Sequence, residues 1–361
     1  MRICHIVPSV PPEYNGLGDY AFQLCRHWPE PRPGWEILAR RLPEGAKEHW
    51  PEASMRTFES SGRGLADALG QSSARTVVLH YVGYAYAKRG APLWLPGTLA
   101  AWKANTGGRL IVIFHELYAV GPPWSSPFWL LPLQMRVAKR LAAIGDAWTT
   151  SCPDYLRVLR ERLRVDMSKG GMIPIGTNIE PVRGPKPARP WPSMLKIVVF
   201  GLPLTRLRTL RCHRNLLGRV RQRGLIEKLV LIGRSEAARD VQEATNAILD
   251  SIGCETATGY DLEPADISAL LLDSHVGLLH NSCGTMTKSG VFAAYCTHGL
   301  VTVVPQDGLC ERGPFVVSDD AAPDASIEAL VRGDGIPTEE DRRRLLFETV
   351  SARFAEVCSK V

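Results

Sequence analysis

The sequence predicts an α/β protein built from two Rossmann-like domains, each a parallel sheet covered by helices. Three observations carry that expectation. The chain has 361 residues, more than a single hydrophobic core ordinarily serves. Short apolar runs alternate with helical patterns from one end to the other. The runs lack the alternation of a half-exposed strand, as expected for strands buried on both faces of a parallel sheet. Finally, "EPVRGPKPARPWPS" (180–193) is dense in proline, has no periodicity and divides the runs into two sets.

In the first set, "RICHIV", "WEILAR", "TVVLHYV", "RLIVIFH" and "AWTTS" read as strands. After the first of them, Leu17, Tyr20, Ala21, Leu24, Cys25 and Trp28 fall at i, i+3, i+4, i+7, i+8 and i+11, one apolar stripe of a helix. "MIPI" closes this domain, placed at residues 1–180. A proline-rich linker follows at 181–195. The second domain, 196–335, takes "KIVVF", "KLVLIG", "HVGLLH" and "GLVTVV" as strands. Residues 336–361 open on proline and acids and then show helical spacing through Leu345, Phe347, Val350, Phe354 and Val357. They predict a closing helix that packs back on the first domain.

Composition narrows the function classes. A hydrophobic content of 45% with 22% charge is that of an ordinary globular protein. No run approaches the roughly 20 apolar residues of a membrane-spanning helix, and "MRICHIVPSVPP" lacks a signal-peptide core. The expectation is a cytoplasmic protein. Nine cysteines lie singly, without a C-x-x-C pair or metal-ligand spacing, so neither a disulfide framework nor a metal site is expected. Residues 1–180 hold 21 Lys+Arg against 15 Asp+Glu, the remainder 22 of each. A basic first half fits an anionic partner, such as a charged substrate or membrane surface, as well as it fits a solvated face. No nucleic-acid-binding motif accompanies it, and no nucleic acid partner is expected.

Open parallel sheets bind ligands beyond the carboxyl ends of their strands, so two of them are expected to face an inter-domain cleft, with the chemistry in the loops. Gly16 and Gly18, in "NGLGDY", stand at the start of the first helix. Glycines there either let backbone N–H groups approach a phosphate or pack a tight turn. The third glycine of the dinucleotide fingerprint and an acid after the next strand are both missing, which disfavours NAD. His115 ends a buried strand, where an imidazole can bond a sugar hydroxyl, accept a proton or simply tie down backbone. His80 and Tyr81, ending another strand, are weaker candidates for shaping an acceptor pocket. Trp124 stands in the loop after His115, ahead of a segment carrying Arg136, Lys139 and Arg140, and suits lipid head groups or a lipid-linked acceptor as well as it suits an ordinary helix behind a proline-rich entry loop. In the second domain "FGLPLTRLRTLRCHRN" supplies a basic loop whose arginines match phosphate oxygens. "CGTMTKSG" delivers Thr287, Lys288, Ser289 and Gly290 to a helix start, where unpaired N–H groups, a hydroxyl and a point charge either receive an anion such as a diphosphate or simply cap the helix beside an exposed lysine.

From the glycine loop to "TGYDLEPADISALLLDSHVGLLHNSCGTMTKSGVFAAYCTHGLVTVV", the order of these parts resembles the GT-B glycosyltransferases, most of all the retaining family-four group. The likeness also takes in "VIFHEL", "AWTTSCPDYLRVL", "IPIGTNI" and "VVFGLP", and so covers nearly the whole chain. It implies a sugar transferred from a nucleotide diphosphate donor, expected to be UDP-linked, to a hydroxyl of a glycan or lipid-linked acceptor, with retention. It implies that Gly16 and Gly18 adjoin the donor diphosphate, that His115 stands beside the donor sugar, and that Gly259 and Tyr260 within "TGYDL" hold the base. The chain departs from the family twice. Leu202 follows Gly201 where an arginine is usual, so Arg206 or Arg208 is expected to supply the cation. Met286 and Ala294 stand where two glutamates are usual. No D-x-D is present, so no metal and no cofactor beyond the substrate are expected. A nucleotide-sugar-binding protein without catalysis and an epimerase of the same plan are the rival readings.

Overall fold

The computed structural model describes residues 2–13, 15–182, 191–306 and 313–360. The chain forms two compact units, residues 1–174 with 350–361, and residues 175–349. The first holds a seven-stranded sheet of β1 (Arg2–Val7), β2 (Gly34–Ala39), β3 (Ala53–Thr57), β4 (Thr76–Tyr81), β5 (Arg109–Phe114), β6 (Ala147–Thr150) and β7 (Gly170–Met172), in the order β3-β2-β1-β4-β5-β6-β7. The second holds β8 (Leu195–Gly201), β9 (Ile226–Gly233), β10 (Thr256–Tyr260), β11 (Val276–Leu278), β12 (Val301–Pro305) and β13 (Phe315–Ser318), in the order β10-β9-β8-β11-β12-β13. Every recorded pairing is parallel. The α/β class and the two Rossmann-like sheets therefore stand as the sequence predicts.

Burial explains why the strands are apolar without alternation. Along β8, Ile197 and Val199 pack on one face of the sheet while Val198 packs on the other, and all three are 1% exposed or less. Both faces are dry, so each residue in the run is selected for hydrophobicity. The strands that the sequence reading passes over are those that lie at sheet margins. In β3 only Met55 is buried, and β10 and β13 carry partly or wholly exposed positions. The segment around "MIPI" contributes a shorter, earlier strand, Gly170–Met172.

The first helix, Gly16–Arg26, forms on its predicted stripe, with Tyr20, Ala21, Leu24 and Cys25 buried. Asn15 caps it, its Oδ1 accepting from Leu17 N at 3.1 Å and Gly18 N at 3.3 Å. The carboxyl-terminal segment is not one helix. Thr338 and Asp341 form a capping box for Glu339–Arg344, and a second helix runs Phe347–Ser359. The break has a local cause. Leu345 O accepts from Thr177 N at 2.9 Å, and the Phe347 ring packs where a side chain at Gly176 would stand. Beyond it, Phe354 meets Trp28 edge to face and Arg353 donates to Met172 O at 3.0 Å. Most of the proline-rich stretch, residues 183–190, lies outside the described residues. On either side of it, Val182 N donates to Ser268 Oγ and Trp191 Nε1 to Leu330 O, both within the second unit.

One side chain ties the second sheet together near its middle. The Tyr295 hydroxyl accepts from Phe200 N at 2.8 Å and shares its proton between Val198 O and Leu278 O, 3.4 Å from each. Its ring fits because residue 277 is glycine. A Cβ there would meet the ring at 2.4 Å. Tyr295→Phe removes a partner of a main-chain donor and is expected to lower unfolding free energy by about 1–3 kcal/mol. A denaturant midpoint equal to that of the unaltered protein contradicts this role.

Candidate functional site

Each sheet reverses its winding once, between β1 and β4 in the first and between β8 and β11 in the second. Chemistry-bearing residues gather at the carboxyl ends of these strands, where such a reversal leaves a crevice.

In the first unit the central feature is a line of three imidazoles. His5 Nδ1 lies 2.9 Å from His80 Nε2, and His80 Nδ1 lies 3.1 Å from His115 Nε2. His5 is in β1, His80 is in β4, and His115 directly follows β5. At the far end Cys25 Sγ, from the first helix, lies 3.6 Å from His5 Nε2. Tyr20 meets His115 edge on, with ring centres 4.9 Å apart. Burial holds His5 down to about 3 and His115 down to about 4. It holds His80 well below its ordinary value, with the neighbouring His5 and His115 adding to the effect. The rings are therefore neutral near neutral pH.

His115 keeps a partly exposed edge, whereas His80 and Tyr81 are fully buried. The structure thus corrects the expectation that His80 and Tyr81 shape an acceptor pocket directly. His80 contacts His5 and His115, and Tyr81 packs edge on against Phe114 in the core. The two glycines divide the readings offered for them. A Cβ on Gly18 would stand 2.2 Å from Ser9 O, so this glycine packs the loop against the helix, while a Cβ on Gly16 meets nothing within 4 Å. Sequence reasoning missed His5, which is hidden inside an apolar strand. It also missed Asp19, in the first turn of the helix, whose carboxyl burial raises to about 6. Trp124 is 86% exposed.

In the second unit the expected basic loop is a helix, Pro203–Cys212. Arg206 and Arg208 are two residues apart and so leave it on different faces. Arg206 is 3% exposed. Its Nη1 donates to Gly201 O at 2.7 Å and its Nη2 to Arg234 O at 2.8 Å, while the guanidinium lies 4.5 Å over the Tyr260 ring. This arginine braces the ends of β8, β9 and β10, which corrects its assignment to the donor phosphates. Arg208 is exposed. The brace demands glycine on both strands it joins. Gly201 has φ +144° and Gly233 φ +135°, and a Cβ on Gly233 would stand 2.0 Å from Gly201 O. Asp261, at φ +53°, accepts from Ser235 N and Arg234 Nη1, which hold its carboxyl below the usual range. Gly259 makes room for Leu270 and Leu262, whose Cδ1 atoms a Cβ would meet at 2.6 and 3.1 Å.

Across the switch point Arg208 and Lys288 both lie near enough to His280 for their charge to act on its ring. His280 follows β11, and its Nδ1 lies 3.5 Å from Thr209 Oγ1. Burial lowers its pKa first, then the charges of Arg208 and Lys288, so both cations act on this ring. Lys288 ends a single turn, Met286–Lys288, and Ser289 caps the helix Gly290–Thr297, its Oγ accepting from Phe292 N at 3.4 Å. Thr287 O accepts from Ile175 N at 3.0 Å. A Cβ on Gly290 meets nothing within 4 Å. Met286 and Ala294 are buried core residues, 6% and 1% exposed, packed with Phe292 and Leu345. His280 was legible only as one more histidine closing a strand, the signal that also marks His80 and His115. Cys283 is disulfide-bonded, against the expectation of single thiols. Among the described residues no group of three or more His, Cys, Asp or Glu could hold a metal ion, and no helix is long and apolar enough to cross a membrane.

No protein-family model matches the chain, and no curated protein matches it. Solved structures do. The lipopolysaccharide outer core galactosyltransferase WaaB is 13% identical over the whole of both chains, with a TM-score of 0.63. The α,α-trehalose 6-phosphate synthase of Burkholderia multivorans is 12% identical over 99% of this chain and 96% of its own, with a TM-score of 0.59. The UDP-GlcNAc 2-epimerase of Neisseria meningitidis, solved with UDP-GlcNAc, is 11% identical over the whole of both chains, with a TM-score of 0.55. The fold is therefore that of the GT-B glycosyltransferases, which an epimerase also uses.

The three neutral histidines carry a pH signature. Their folded pKa values lie below the unfolded value, so the stability they contribute is fully present above about pH 6.5. It is lost as pH falls, because only the unfolded chain takes up their protons, at about 1.4 kcal/mol per pH unit for each ring. The urea midpoint should drop between pH 7 and pH 5, and less steeply in His5→Gln. Equal slopes for the two proteins contradict the assignment.

Proposed function

We propose that this protein is a glycosyltransferase that moves a sugar from a nucleotide diphosphate donor, UDP-linked, to a hydroxyl of a glycan or lipid-linked acceptor. One observation carries the reading: the charges of Arg208 and Lys288 both act on His280, near the switch point of the second sheet, and Lys288 immediately precedes the start of helix Gly290–Thr297. Cationic side chains and unpaired main-chain N–H groups together suit a diphosphate. The UDP-GlcNAc held by the epimerase neighbour supports the choice of nucleotide. In this reading the second unit binds the donor, the 258–262 segment takes its base, and the first unit receives the acceptor and supplies His115 to the sugar. As the C1–O bond breaks, its electron pair passes to the leaving phosphate oxygen. Fixed positive charge stabilises that oxygen more in the transition state than in the ground state. The acceptor oxygen bonds to C1 on the same face, and its proton passes to the departing phosphate, giving retention without a metal.

Lys288→Ala removes one charge-assisted contact and should weaken UDP binding by about 1.5–3 kcal/mol while leaving uridine binding unchanged, as read by calorimetry. Gly290→Val should have a similar effect. Its backbone is not in the left-handed region and a Cβ there has no described atom within 4 Å, so a loss matched by an unchanged denaturant midpoint reports the ligand rather than the fold. Unchanged UDP affinity in both variants refutes this phosphate site. His115→Ala should cut transfer about 10²-fold with nucleotide binding intact. A specific observation favours one alternative, since an epimerase shares the fold. Incubating the protein with UDP-sugar alone and analysing the sugar separates the two, because an epimerase converts it without an acceptor.

We further propose that the first unit meets an anionic membrane at the cytoplasmic face. Trp124, Phe128 and Trp129 are 86%, 44% and 71% exposed, next to the exposed Arg136, Lys139 and Arg140 on helix Ser126–Ile144. Leaving aromatics in water forgoes about 1.5–3 kcal/mol for each large side chain, which interfacial burial recovers. Sedimentation with anionic vesicles should be salt-sensitive and should fall in Trp124→Ser/Trp129→Ser. Equal recovery with neutral vesicles at low salt argues against it.

A further inference from the structure

We propose that His5, His80 and His115 form a single tautomer-coupled chain in which Cys25 decides which nitrogen of His115 carries its proton. His5 and His80 are then positioning residues for the ring that meets the sugar. The last clause rests on the role given to His115 above, whereas the chain itself does not.

The argument is one of donors and acceptors. A neutral imidazole has one N–H and one bare nitrogen. The two contacts, 2.9 and 3.1 Å, each join an Nδ1 to an Nε2. The His80 and His115 rings lie edge to edge, with centres 5.3 Å apart and planes within 16°, as an in-plane N–H···N bond requires. If the three rings carried different tautomers, one contact would press two protons or two lone pairs together. All three must therefore be Nδ1–H, or all three Nε2–H, and they change only as a unit. Burial keeps each ring neutral, so no ring escapes the rule by taking a second proton.

Cys25 breaks the tie. Burial keeps its thiol protonated, and Sγ lies 3.6 Å from His5 Nε2. Sulfur is a weak acceptor and an imidazole nitrogen a strong one, so the thiol donates to His5 Nε2. His5 Nδ1–H then donates to His80, and His80 Nδ1–H to His115 Nε2. His115 is left with a proton on Nδ1, which no described residue bonds. It thus offers a ligand a hydrogen-bond donor. It polarises or orients a sugar oxygen and is not the base that removes the acceptor's proton. A thiol in the core of the first helix sets that polarity from two rings away.

Long-range 1H–15N correlation spectra of the full-length, 15N-histidine-labelled protein read each tautomer directly. In the unaltered protein His5, His80 and His115 should all be Nδ1–H. In Cys25→Ala all three should move together toward Nε2–H. In His80→Asn, which keeps an amide near His115 but cannot reach His5, the Cys25→Ala change should still move His5 and no longer move His115. A mixture of tautomers along the unaltered chain overturns the proposal, as does a Cys25→Ala spectrum in which none of the three shifts. The kinetic consequence is separate. His80→Asn should lower kcat about tenfold without changing KM for the donor. An unaltered kcat, with the spectral coupling present, overturns the positioning role. Absence of transfer from every nucleotide sugar overturns the sugar-transfer reading and leaves the spectral result standing.

Discussion

Parallel pairing constrains everything else in this molecule. When every strand in a sheet runs the same way, all carboxyl ends emerge along one edge, and each return crosses a face of the sheet as a helix. The winding reverses once in each sheet, and at the reversal two neighbouring strands send their connections to opposite faces. That reversal brings Tyr20, His80 and His115 together in the first unit and sets Arg208 near His280 in the second, although these residues are far apart in sequence.

The two units meet the same constraint with opposite electrostatics. In the first, His115 brings to the crevice an imidazole that burial has stripped of charge, so what it offers is directional hydrogen bonding. In the second, the cations Arg208 and Lys288 both act on His280. Neutral donors discriminate among hydroxyls, and fixed cations hold phosphate. That division is the physical content of assigning acceptor and sugar to one unit and donor diphosphate to the other.

Strands buried on both faces were legible because periodicity disappears in them, and the first helix was legible because its stripe is continuous. β3, β10 and β13 were not, because a marginal strand buries few side chains and its sequence carries no such signal. The site was legible as positions more than as roles. Arg206 and Arg208 look alike in a basic run. Which one is buried depends on where the helix begins, and Pro203 starts it earlier than the run suggests. His5 is one residue in an apolar strand, and nothing local says that its ring aims at His80. Gly18 and Gly259 read equally well as ligand approaches, and only the atoms opposite them show that they relieve packing.

The phenol of Tyr295 has a consequence for selectivity. Pairing of β11 with β8 reaches only Leu278 and Val199, while β8 continues to Gly201. The next amide, that of Phe200, is taken by the tyrosine hydroxyl in place of a strand partner. The phenol therefore bridges β8 and β11 just beyond their last shared pair, and the width of the sheet there is set by a ring in the core. In the proposed donor site, a width set this way is the same for any nucleoside diphosphate and does not distinguish one base from another. In that proposal the discrimination falls farther along the edge, where β10 ends.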